Sequence, residues 1–185
     1  LISSAAVYGE GKNIKPISLY GEQKLLIENL CKLNFKNKTN KLIILRVFSL
    51  YGPGLKKQLF WDVCKKIRKG DNSFFGTGNE IRSWVYIDDL VKIIYKICQK
   101  TNKSLILNIA GKESTKNKDL IKKIYNAYFQ NKNFKTPEFS GKKRKGDPRI
   151  MRSYKKNLLN KKNINYFVNL GEGIDRYIKW FKRIK

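Results

Sequence analysis

Histidine is absent from this chain, and its absence removes a class of chemistry. No Ser-His-Asp or Cys-His relay can be assembled from these residues. Cysteine is scarce. Cys31, Cys64 and Cys98 are far apart, fall on predicted helices and form no CxxC pair. Neither a zinc site nor a disulfide framework is implied, and the expected metal content is none. No apolar run reaches about 18 residues, the length that marks a membrane-spanning helix. The first residues, Leu1-Ile2-Ser3-Ser4, carry no basic group ahead of their short apolar stretch, so they do not read as a secretory signal. The expected compartment is the cytoplasm.

Acidic residues are also few: 14 Asp and Glu face 41 Lys and Arg, for a formal charge of +27. Such a balance suits nucleic-acid phosphates. It equally suits solvated lysines around a site for a phosphate-bearing small molecule. The lysines are spread along the chain, and even the densest stretch, 112–162, shows no recognisable nucleic-acid module. Nucleic acid is therefore set aside as the partner, and the basic-module reading is kept only as the non-enzyme alternative.

What is present is enough for a folded domain: 185 residues, 41% of them apolar and 12% aromatic. Leu1–Ser4 reads as the end of a buried strand, so the chain is expected to open inside a sheet and to be a piece of something longer. Residues 19–33 read as a helix with Tyr20, Lys24, Ile27 and Cys31 on one face. The apolar run at 42–48 suits a buried parallel strand, and a turn follows at 51–54. A helix at 57–69 is closed by Gly70. Short strands at 73–75 and 82–87 flank a turn at 76–79. Asp88 is placed to cap a helix running to about Lys100, with Val91, Ile94, Tyr95 and Cys98 inward. A strand at 105–109, helices at 118–129 and 171–184, and a basic loop at 140–147 complete the pattern. Strands alternating with helices define an α/β class with parallel pairing.

One spacing carries chemistry. Tyr20 and Lys24 stand four apart on a predicted helix, one turn above each other. An ammonium beside a phenol favours the phenolate and draws down a pKa that is ~10 when unperturbed. A tyrosine so placed can serve as a general base. Ser3 and Ser4 lie at the C-terminal end of the first strand, where open α/β sheets place reactive groups.

Four blocks extend this pair into a family resemblance. Ser3-Ser4-Ala5-Ala6-Val7-Tyr8-Gly9 resembles the strand-end motif of extended short-chain dehydrogenases, the NAD-dependent epimerase/dehydratase family. Residues 16–24, from Pro16 to Lys24, look like the active-site helix of that family. Residues 45–54 are similar to its next strand and turn, and 76–90 to its substrate-domain signature. The resemblance implies the C-terminal part of a Rossmann-type doubly wound sheet plus a small α/β substrate-binding domain, without the first strands and the glycine-rich loop. Residues 1–70 would belong to the dinucleotide-binding domain with its active-site helix. Residues 71–185 would be mainly the nucleotide-sugar domain, with 82–110 partly returning to the sheet.

By the same resemblance, Ser4 is the catalytic hydroxyl, Tyr20 the base and Lys24 its partner. Tyr20, Lys24 and the backbone near Phe48 would face NAD, with NADP not excluded. Ser49, Arg82, Arg144 and Asp147 would hold the diphosphate and ribose of a nucleotide sugar, and Ser73 to Phe75 would lie along its base. A homodimer through the helices at 19–33 and 57–69 fits the family.

Three departures refine this. The glycine-rich fingerprint does not occur, so these residues alone are expected to be inactive. The stretch from Gly9 to Pro16 is short, and Ser49 stands where many members have Asn. Apart from these three, Ala5 and Ala6 occupy positions where eliminating members carry acids. Alanine supplies no proton, so dehydration and decarboxylation recede. The expected activity is epimerisation of a nucleotide-linked hexose, UDP-sugar preferred, through a transient keto-sugar, for cell-surface polysaccharide. The alternative is a nucleotide-sugar ketoreductase using NAD(P)H.

Overall fold

A computed structural model describes residues 1–36, 39–100, 102–130, 132–154 and 167–184. A three-stranded, all-parallel sheet runs β1 (Ile2–Ser4), β2 (Ile43–Val47) and β6 (Leu105–Ile109), with β2 in the middle. Ser3, Arg46 and Asn108 lie in register across its three strands. A 3-10 turn, Ala5–Tyr8, follows β1, and helix α1 (Leu19–Phe35) packs against both. Of the α1 side chains only Gly21 and Glu28 are buried.

The second sheet is built on β5 (Ile81–Tyr86). The last half of β5 pairs in parallel with β3 (Ser49–Tyr51). Its first half lies between β7 (Ser114–Lys116), antiparallel, and β9 (Ile150–Met151), parallel. Helix α2 (Gln58–Lys69) ends at Gly70, whose left-handed φ of 70° lets its N–H reach the Ile67 carbonyl while the Asp71 N–H reaches that of Lys66. With α4 (Asn117–Phe129) and α5 (Leu170–Arg183), α2 encloses an aromatic core. At its centre Phe60 stacks on Tyr51 with ring centroids 4.4 Å apart and meets Trp84 and Tyr177 edge-on. A second apolar cluster joins Leu45, Val47, Phe48 and Ile109 to helix α3 (Ile87–Lys100).

Three local expectations are corrected. The strand at 73–74, β4, does not fold back on β5; it pairs in parallel with β8 (Glu138–Phe139). The 76–79 turn is closed instead by Glu80, whose carboxylate accepts the Thr77 N–H and hydroxyl, both at 2.8 Å. Asp88 is not a cap, because β5 runs straight into α3 at Ile87. The inward face of α3 is also shifted by one residue. Leu90, Ile93 and Ile97 are buried, whereas Val91, Tyr95 and Cys98 are exposed. Both sets have helical spacing; the wholly aliphatic row is the one that packs with Leu45, Val47 and Phe48, and Ile94 of the expected row is half-buried beside it.

Phe60→Ala removes the ring on which this aromatic core closes. It should lower stability by about 3–5 kcal/mol, read as a lower midpoint in urea denaturation.

Candidate active site

Ser4 ends β1 in extended conformation, and its Oγ accepts the Ala6 N–H at 3.2 Å, capping the 3-10 turn. Ser18 does the same for α1, accepting the Gly21 N–H at 3.1 Å. Gly21 then rests on the 3-10 turn itself. A Cβ at that position would stand 2.5 Å from the Ala6 carbonyl oxygen and 3.0 Å from the Pro16 Cβ. This close approach presses the first turn of α1 onto the segment that Ser4 begins. Tyr20, beside Gly21, stays 54% exposed. Lys24 reaches back across the gap: its Nζ lies 5.8 Å from the centroid of the Tyr20 ring and donates to the Ile2 carbonyl at 3.3 Å. Ser4, Tyr20 and Lys24 thus come from two elements locked at one strand end.

Beneath them is a buried polar network that the spacing of Tyr20 and Lys24 did not reveal. Arg46 donates from Nε to Glu28 Oε1 at 2.9 Å and from a terminal nitrogen to Oε2 at 2.6 Å. The Ser3 hydroxyl donates to Oε1 at 2.5 Å. The other guanidinium nitrogen donates to the Tyr8 hydroxyl at 2.7 Å, and that hydroxyl donates to Asn108 Oδ1 at 2.9 Å. Burial pushes the Glu28 carboxyl up, but the hydrogen bonds from Arg46 and Ser3 and the charges of Arg46 and Lys32 outweigh it and hold it below its ordinary value. Burial likewise draws Arg46 down, and its bonds to Glu28 and Tyr8 reverse the sign. Two signals pointed here: an arginine inside the apolar run 42–48 needs a buried partner, and Glu28 continues the Tyr20, Lys24 row one turn further.

A second cluster comes from the β5 side. Arg82 is buried, donates to Asp147 Oδ1 at 2.6 Å and also holds the Ile81 carbonyl. Arg144 lies over the Phe75 ring, 5.1 Å from its centroid, and that ring is 52% exposed. The Ser73 hydroxyl is engaged by Asp71 at 2.7 Å. Phe48 is core, with its amide given to Ile109, and Ser49 pairs with Trp84 in β3. The two clusters adjoin. Gly146, with φ of 80°, would place a Cβ 3.4 Å from both the Ile17 carbonyl oxygen and the Ser18 Cβ, at the start of α1. Glu10, from the loop after the 3-10 turn, accepts the Arg149 N–H at 2.7 Å. The loop bearing Arg144 and Asp147 is therefore seated on the N-terminus of the helix that bears Tyr20 and Lys24.

Comparison with known proteins shows the family. The NAD dependent epimerase/dehydratase family matches residues 1–110, and the chain belongs to that family. It is 32% identical over 123 residues to an uncharacterized UDP-glucose epimerase of Bacillus subtilis, covering 60% of this chain and 38% of that protein. It is also 32% identical over 123 residues to the ADP-L-glycero-D-manno-heptose-6-epimerase of Brachyspira hyodysenteriae, covering 57% and 39%. The solved UDP-glucuronic acid 4-epimerase of Bacillus cereus, in complex with UDP-glucuronic acid and NAD, superposes with a TM-score of 0.76 at 26% identity, over 98% of this chain and 60% of that one. The match spans about two fifths of the length of each of these two curated relatives. Among the described residues, no group of three or more acidic or cysteine side chains could hold a metal ion, and no helix is long and apolar enough to cross a membrane.

Glu28→Gln leaves the Arg46 charge buried without its partner, which should lower stability at neutral pH by about 3–5 kcal/mol. Because the folded-state value of Glu28 is depressed, its contribution is fully present above the ordinary glutamate range and is lost as pH falls through the lower value. Urea midpoints for the two proteins should begin to converge only once pH has fallen below the ordinary glutamate range. A gap that stays constant with pH would contradict the assignment.

Proposed function

We propose that these residues are the catalytic and nucleotide-sugar-binding portion of an NAD-dependent epimerase acting on a nucleotide-linked hexose, with a UDP-sugar as preferred substrate and cell-surface polysaccharide as its destination. Residues 1–70 would serve the cofactor side and 71–185 mainly the nucleotide sugar, with 82–110 partly returning to the sheet. The observation that carries the reading is the seating of the 144–147 loop on the start of α1. One ligand can then touch Arg144 and Asp147 with its diphosphate and ribose while its sugar faces Tyr20 and Ser4.

The donor set fits a nicotinamide nucleotide at the ends of β1 and β2. Lys24 supplies an ammonium and Tyr20 an exposed hydroxyl beside the C-terminal edge of a parallel sheet. The glycine-rich turn that would cradle the pyrophosphate is not among these 185 residues. When bound, NAD accepts and returns the hydride, which is the redox part of the reaction.

The chain's own groups do the rest. Tyr20 takes the proton from the reacting sugar hydroxyl and returns it to the same oxygen when the keto carbon is reduced on its other face. Lys24 stabilises the phenolate electrostatically. Ser4 donates a hydrogen bond to the reacting oxygen, a role its Oγ can take while still accepting from Ala6. Arg82 braces Asp147, and Arg144 with Phe75 forms a cationic, aromatic wall suited to a nucleotide. Ser49 would reach the phosphates. Ser73 would lie along the base together with Phe75, although its hydroxyl is already shared with Asp71. Ala5 and Ala6 offer no acid for elimination. A homodimer through the helices at 19–33 and 57–69 belongs to the same reading, supported by exposed Leu19, Leu26, Leu30 and Leu33 on α1. The cytoplasm is its expected compartment, where nucleotide sugars are handled.

Tyr20→Phe in the complete gene product, assayed with NAD and a panel of UDP-hexoses, should lower kcat by about 10²- to 10⁴-fold while UDP affinity is kept. Arg144→Met should instead weaken UDP binding by about tenfold or more, a loss measurable by calorimetry on the 185-residue chain. Near-normal turnover in the tyrosine variant would refute its role as the base.

A further inference from the structure

The network under the site has a consequence for Lys24 that goes beyond holding α1 in place. Lys24, Glu28 and Lys32 are spaced four apart on α1, so both lysines flank the same carboxylate. They behave differently. Lys32 Nζ lies 3.9 Å from Glu28 Oε2. Lys24 turns the other way, to the Ile2 carbonyl and the face of Tyr20.

The occupancy of the carboxylate explains the difference. Oε1 already accepts from Ser3 and from Arg46 Nε, and Oε2 from Arg46 and, at longer range, Lys32. Arg46 is itself fixed from its far side by the Tyr8 hydroxyl, which Asn108 anchors in turn, and by the Tyr8 ring 5.0 Å from its guanidinium. Among the described residues, no second anionic side chain enters this buried row. A carboxylate released from Arg46 would attract the Lys24 ammonium, since opposite charges four apart on a helix attract.

We propose that Arg46 is a positioning residue for Lys24: by occupying both oxygens of Glu28 it withholds that carboxylate from the ammonium one turn away, and so leaves the ammonium to Tyr20. This rests on the reading of Tyr20 as the base and Lys24 as its partner. Arg46 touches neither substrate nor cofactor; it acts through Glu28. The charged groups facing Glu28 are Arg46 from β2 and Lys32 from its own helix, and Ser3 contributes a hydroxyl. Near Tyr20 stand Lys24 and, over Ser18, the loop that carries Lys145 and Asp147 on either side of Gly146.

The test is the position of the Lys24 ammonium in crystal structures of the 185-residue chain and its variants. In Arg46→Met the Nζ should leave the Ile2 carbonyl and stand within about 4 Å of a Glu28 carboxylate oxygen. In Arg46→Met combined with Glu28→Gln it should be back on Ile2 and the Tyr20 face. A role in packing alone predicts no such return. Where Arg46→Met does not fold, Arg46→Lys replaces it, with the same movement expected and again cancelled by Glu28→Gln. An ammonium that stays on Ile2 in the single variants, or that stays displaced in the double variant, overturns this proposal and leaves the base assignment to the turnover of Tyr20→Phe.

Discussion

The ion pair between Glu28 and Arg46 is the constraint on which the rest of the site depends. It lies on the row that Ser3, Arg46 and Asn108 form across three parallel strands. It also holds the only charged side chain that α1 buries. An isolated buried charge is expensive, but a bidentate pair with its remaining acceptors filled is tolerated and directional. The direction matters here. Most of the apolar side chains of α1 are turned outward, so apolar packing does little to fix its rotation on the sheet. Gly21 against Ala6 sets the depth of the helix at one end, and Glu28 in the grip of Arg46 sets its rotation further along. Tyr20 and Lys24, which share that row of the helix, are aimed as a result.

From this anchor the two halves of the site follow. The 3-10 turn that Ser4 caps is the surface on which α1 rests, and the loop after it ties to Arg149 through Glu10. The 144–147 loop lies against the start of α1 through Gly146, while Arg82 holds its Asp147 from β5. The aromatic core under β3 and β5 supplies the rigid wall behind these loops. The chain belongs to the NAD dependent epimerase/dehydratase family, whose match covers residues 1–110.

What could be read from the sequence was what is local. The Tyr20, Lys24 spacing, the apolar run around Ile44 and Leu45, and the Gly70 stop depend on residues within one or two turns of each other. The elements that escaped depend on distant partners. β4 looked like one arm of a hairpin because its true partner, β8, is more than sixty residues away and only two residues long. The inward face of α3 was placed one residue off because two apolar rows share the same period. Arg46 was hidden within an apolar run, since its meaning comes from Glu28, Tyr8 and Asn108 on three other elements. Arg82, Arg144 and Asp147 had no local signature; they were singled out by resemblance, and the contact of Gly146 with Ser18 supplies the physical link between them and Tyr20.

The central claim is that one nucleotide sugar spans the two clusters. A crystal structure of the chain with a bound UDP-hexose tests it most directly. The account predicts the diphosphate against Arg82 and Arg144, the base along Phe75, and a sugar hydroxyl within hydrogen-bonding distance of both Tyr20 and Ser4. A nucleotide bound elsewhere, or a sugar turned away from Tyr20 with the diphosphate in place, would contradict it.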